Sequence, residues 1–250
     1  MRSLSAAQVG KYRRHLIKLV TYLDTQPSLR YFPEMQESVR RTRAGLESGS
    51  DSDWRFTTTP LWRIPLERGV GNSDNDDRCL LVGAEISAVR GSITMHSVSF
   101  SIAKRDLSGA LPSGPHDCGH KVDDWQYRVL RKVHFDTDYA KGGADRPRNH
   151  IQLGGTFPVE STEFHYCGAD KLDLPRIWIQ PMDPVLLLEQ LLAQFRTGRN
   201  AAVIGVGNWK SLVRTSEDIW LKPHFADFAA ICRESRPESL FEEACRPPPT

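Results

Sequence analysis

The chain predicts an α+β fold, with a mostly antiparallel sheet of about five strands and N-terminal and C-terminal helices packed on it. Apolar residues recur at three- and four-residue steps near both ends of the sequence. Period-two alternation is confined to the middle. The two patterns do not interleave, and segregated runs of strands and helices point away from alternating βαβ units. The 250 residues, 39% hydrophobic and 26% charged, suffice for one core. The expected division is an N-terminal helical segment, 1–50, and an α+β domain, 51–250, or a single domain overall.

The first helix is expected over 5–24. Ser5 can cap it, and Val9, Tyr12, Leu16, Leu19, Val20 and Leu23 form its apolar stripe. Lys11, Arg13, Arg14 and Lys18 flank that stripe, either as a solvated face or as a face for an anionic partner. A second helix is expected over 34–46, with Met35, Val39 and Leu46 inward, followed by GLESGSDSD as a flexible linker. Residues 54–66 have strand-like content, but Pro60 and Pro65 make them an edge or irregular segment. GVGNSDNDDR is a loop, and no helix follows its glycines, so it has no phosphate-binding reading.

The clearest strand pair is 79–89 with 92–103, turning at Arg90-Gly91. His96 shares a face with Val98, Phe100 and Ile102 there, which makes it a core histidine. The loop 106–125 holds His116, Asp117, Cys118 and His120, without a second ligand pair at zinc-finger spacing. His165 and Cys167 fall in another loop. A short strand over 176–180 should turn Ile177 and Ile179 inward and Arg176, Trp178 and Gln180 outward. Asp183-Pro184 opens the best-signalled helix, with Val185, Leu188, Leu192 and Phe195 expected to pack on Val129, Val133 and Ile151. Asn208 is expected to cap a helix over 209–221, Pro223 to punctuate it, and a last helix to run to about residue 234.

Polar chemistry and regular structure coincide in one stretch, 126–155, which reads as two strands joined by a long polar loop. Tyr127, Val129, Val133 and Phe135 are expected on one face, and Arg128, Leu130, Lys132, His134 and Asp136 on the other. Ile151 and Leu153 alternate with His150 and Gln152 on the second strand. Two imidazoles and a cation on one face can cleave RNA without a metal. One takes the proton of a 2′-hydroxyl, the other protonates the leaving oxygen, and Lys132 offsets the developing charge. His134, His150, Asp136 and Lys132 are therefore the candidate catalytic residues. Arg128, Arg146, Arg148, Gln152, Arg176 and Trp178 are the candidate nucleic-acid contacts, a tryptophan stacking on a base and arginines holding phosphate. The competing structural reading is a half-buried polar face with two satisfied histidines. A non-catalytic nucleic-acid- or protein-binding subunit uses the same face.

His134-Phe135-Asp136 also has the HxD spacing of a two-histidine, one-carboxylate metal site, since alternate strand residues share a face. It resembles the 2-oxoglutarate-dependent oxygenases, a resemblance that would enlist His224 and Arg233. The order His-aromatic-Asp, polar loop, Asn-His-x-Gln, Gly-Gly over about 126–155 resembles TumE-like toxins of bacterial toxin–antitoxin systems. That resemblance implies an RNA-directed toxin or defence component, nominates His134, Asp136 and His150, and brings an antitoxin or other protein partner with it.

The formal net charge of +2 excludes a molecule that is basic all over, so any nucleic-acid contact must be local. Five cysteines without a CxxC pair argue against a disulfide framework or a zinc ribbon and for a reducing compartment. No long apolar run marks a signal peptide or a membrane span, so a cytoplasmic protein without a membrane partner is expected. The sequence leaves the cofactor unknown, the HxD spacing being its one pointer to a metal.

Overall fold

The structure, a computed structural model, describes residues 4–26, 33–59, 61–65, 78–105, 127–137, 149–154, 164–165, 177–195, 204 and 206–233. It is α+β: a mostly antiparallel open sheet with N-terminal and C-terminal helices against one face. Helix α1, Ala6–Thr25, starts at Ser5 with a capping box. Gln8 N–H donates to Ser5 Oγ at 3.4 Å and Ser5 N–H to Gln8 Oε1 at 2.8 Å, which satisfies two of the donors a helix start leaves open. All six residues of its expected stripe are buried.

Arg13, from the flanking basic set, is structural. Its guanidinium donates to the carbonyls of Leu46 at 2.7 Å and Gly49 at 2.6 Å, closing the end of helix α2, Pro33–Ser48. Residues 49–53, expected to be a flexible linker, form a bonded turn instead. Ser50 N–H donates to Asp53 O at 2.9 Å, and Asp53 Oδ1 accepts from Arg90 N–H at 3.1 Å. Gly49 is required there, because a Cβ would stand 2.8 Å from the Asp53 carbonyl oxygen.

The sheet has the strand order β1-β3-β4-β5-β6-β8. Strands β1, Trp54–Thr57, and β2, Trp62–Pro65, share one edge by pairing with opposite halves of β3, Arg78–Val89. The hairpin to β4, Ser92–Arg105, turns at Arg90 (φ 51°) and Gly91 (φ 75°), the left-handed pair that a tight two-residue turn needs. Strands β5, Tyr127–Thr137, and β6, Asn149–Leu153, continue the antiparallel order, and β8, Ile177–Trp178, closes it. Strand β7, Phe164–His165, pairs parallel to β5, where the sequence suggested only a loop.

Two departures change which residues face the core. The register slips between Ile102 and Ala103, so that Leu130 is an extra residue in β5. A bulge of this kind reverses the face beyond it. Val129 therefore packs in a separate cluster with Cys79, Leu81 and Ala103, not with Val133 and Phe135 as its parity suggested. Ile177, expected inward, is 56% exposed, because β8 is a two-residue edge strand.

Helix α3, Pro184–Gln194, is capped by Asp183, whose Oδ1 accepts from Leu186 N–H at 2.9 Å. Its apolar side chains join the core cluster that includes Phe135, with Val133 and Ile151 packed against it. Helices α4, Gly207–Ser216, and α5, Lys222–Arg233, are continuous through a π-turn at Glu217–Leu221. Asn208 lies inside α4 rather than at its cap, which is Val206 without a side-chain bond. Pro223 lacks an N–H and its ring crowds the preceding turn. The π-turn just before it lets the chain stay helical where the sequence suggested a break.

A buried polar chain crosses this core. His15 Nε2 lies 2.8 Å from Ser216 Oγ, Ser216 Oγ donates to Asp183 Oδ2 at 2.8 Å, and the Tyr12 hydroxyl bonds both Asp183 and, at 3.3 Å, His96 Nε2. It ties α1, β4, the start of α3 and the end of α4 together. His96 is thus the hydrogen-bonded core histidine that its apolar face implied. Burial drives the His96 pKa down to about 3 and that of His15 to about 4, and drives Asp183 up to about 6. Among the described residues no helix is long and apolar enough to cross a membrane.

Candidate functional site

The sheet face away from the helices is polar because β4 alternates small hydroxyls with apolar residues. Ser97, Ser99 and Ser101 point one way, and His96, Val98, Phe100 and Ile102 the other. On β5 their partners are Asp136, His134 and Lys132. On β6, His150 stands opposite Asp136 and Gln152 opposite His134. Five of the predicted residues thus meet on one patch, and the two histidines are diagonal neighbours across the β5–β6 ladder. Trp178 occupies the β8 position opposite His150. Arg128 pairs with Lys104 beyond the bulge, away from the histidines. Arg146, Arg148, Arg176 and the 116–120 cluster lie outside the described residues.

The two histidines have different surroundings. Asp136 accepts from Ser97 Oγ at 2.5 Å through Oδ1, and its Oδ2 is 3.8 Å from His150 Nε2. An imidazolium at His150 would find its counterion there. His134 makes a hydrogen bond to the Gly154 backbone that favours its charged form, so the ring donates. Its Nε2 is buried without a partner. Burial pushes the His134 pKa down to about 4. Lys132 adds to this, and Asp136 and the Gly154 bond oppose it. His134 is a neutral acceptor at physiological pH.

The patch is less open than the alternation suggested. Lys132 is 3% and His150 4% exposed. An open depression of about 560 Å³, mouth included, is lined by His134, Ser97 and Ser99, and does not reach Lys132, Asp136 or His150. Gly83 lies in its wall, and a Cβ there would come within 2.7 Å of Ser99 Oγ. Arg55 and Glu85 stand at its rim, bonded to one another at 2.5 Å.

No family model matches the chain, and neither a curated protein nor a solved structure is similar to it.

Sequence reasoning missed Arg55, Glu85, Gly83, Ser97 and Ser99. The available signal was the serine alternation of β4 together with a glycine inside β3, a residue type that marks close approach when it interrupts a strand. The HxD pair His134 and Asp136 does share a face. Among the described residues no three His, Cys, Asp or Glu side chains group as metal ligands, and His224 and Arg233 lie on helix α5.

Proposed function

We propose that the polar sheet face processes RNA by metal-independent acid–base cleavage. His134 takes the 2′-hydroxyl proton and His150, backed by Asp136, protonates the leaving oxygen. The observation that carries this reading is the division of labour between two diagonal histidines, one neutral with a bare Nε2, the other beside a carboxylate. The chemistry needs one imidazole of each kind. Lys132, two residues from His134 on the same strand face, adds positive charge near the phosphate. The setting is that of a bacterial toxin or defence component with a nucleic-acid substrate and a protein partner, in the cytoplasm, as the resemblance of 126–155 to TumE-like toxins implies.

The test is incubation with RNA and with DNA in chelator, with product ends identified. A 2′,3′-cyclic phosphate product that disappears in His134→Ala and His150→Ala supports the mechanism. Activity that is lost in chelator and restored by iron, manganese or zinc would favour the HxD oxygenase-type site instead. The burial of Lys132 and His150 favours a second reading, a non-catalytic subunit that binds nucleic acid or protein over the same face. Retained RNA binding without cleavage in the unmodified protein would select it.

A further inference from the structure

The depression over Gly83 runs from His134 to Arg55 and Glu85, two residues that the histidine chemistry does not use. One polar atom at it has no described partner: His134 Nε2 is buried and unbonded, and Ser99, directly across the β4–β5 ladder, lines the same depression. Buried polar groups are normally satisfied, and exceptions call for an explanation such as a ligand. Ser99 and Leu61 take the space a Cβ on Gly83 would need, and all three residues line the depression. At the rim, Arg55 supplies paired donors and Glu85 paired acceptors. Their side chains are 65% and 42% exposed, so their mutual ion pair is weak and can be exchanged for a ligand at little cost.

We propose that this depression is a base-specific subsite, and that the base it takes is guanine. Guanine carries two acceptors, O6 and N7, on one edge, and donors at N1 and N2 on another. Arg55 then donates to O6 and N7, and Glu85 accepts from N1–H and N2–H. Adenine and cytosine present a donor where guanine has O6, and uracil lacks the paired donors. The assignment rests on the RNA-processing reading for its place in the reaction. The guanosine is the nucleotide whose 2′-hydroxyl faces His134, and the leaving nucleotide runs towards His150 and β8.

The experiment measures binding of guanosine, adenosine, cytidine and uridine 3′-monophosphates to the full chain, and cleavage of RNAs differing at one position. Guanosine 3′-monophosphate should bind roughly 5- to 150-fold tighter than the others, the range for one bidentate base contact. Cleavage should fall on the 3′ side of guanosine. Glu85→Gln should remove the preference, and Arg55→Met should weaken it independently, so that loss of folding in one variant does not decide the matter. Cleavage without base preference overturns the guanine subsite and leaves the histidine mechanism standing. Guanosine preference in binding with no cleavage of any RNA supports the subsite and overturns the mechanism. Equal binding of all four nucleotides, or none, overturns the subsite.

Discussion

Acid should unfold this protein through its buried polar chain. His15 and His96 are 3% and 2% exposed and bonded in the core, with pKa values near 4 and 3 against 6.5 for a free imidazole. A depressed histidine contributes stability that is complete above pH 6.5 and is lost as the pH falls towards the folded value. At about 1.4 kcal/mol per unit, each histidine forfeits about 2 kcal/mol between pH 6.5 and 5. Asp183 acts the other way. Its pKa is raised to about 6, so the folded state takes up a proton below pH 6 and regains about 1.4 kcal/mol by pH 5. These three groups together should cost about 3 kcal/mol over that interval, and His134, whose pKa is also lowered to about 4, about 2 kcal/mol more. Urea denaturation at pH 7 and pH 5 measures the change, and His96→Gln should remove about a third of the histidine part of the slope. Equal stability at the two pH values, or an unchanged slope in His96→Gln, would refute the assignment of buried neutral histidines.

Other variants test separate parts of the fold and site. Leu188→Ala removes a side chain that is 1% exposed in α3 and should cost roughly 2–5 kcal/mol in a chemical melt. Asp183→Ala deletes the α3 cap, about 1 kcal/mol, and strands the Ser216 and Tyr12 donors, about 1–3 kcal/mol more, again read by denaturation. Lys132→Ala should slow RNA cleavage through loss of charge near the phosphate. If His134 is the general base, the acidic limb of the pH–rate profile should lie near pH 4, not 6.5, because burial and Lys132 lower its pKa.

Local chemistry was legible in the sequence. Asp183-Pro184 marks a helix start whatever surrounds it, and the Arg90-Gly91 turn sets the β3–β4 pairing by backbone conformation alone. The shared face of His134, Asp136 and His150 follows from period two on either side of one loop. Features that depend on distant partners were not legible. The extra residue at Leu130 has no glycine to announce it, yet it moves Val129 to the other face. Ser216 looks like an ordinary helix serine until His15, far away in the chain, is found against it. Glu85 and Arg55 read as surface charges because the depression they line is made by four strands brought together only in the fold.

Whether His134 and His150 act as base and acid on one phosphate is decided by single-turnover cleavage of a guanosine-containing RNA in chelator by the unmodified protein, His134→Ala and His150→Ala, with a thermal melt of each. The expected result is a cyclic-phosphate product and a rate lowered roughly 10²–10⁴-fold in either variant, the range for a general acid or base, with little change in melting temperature. Cleavage at an unchanged rate in both variants, or no cleavage by the unmodified protein, would contradict it.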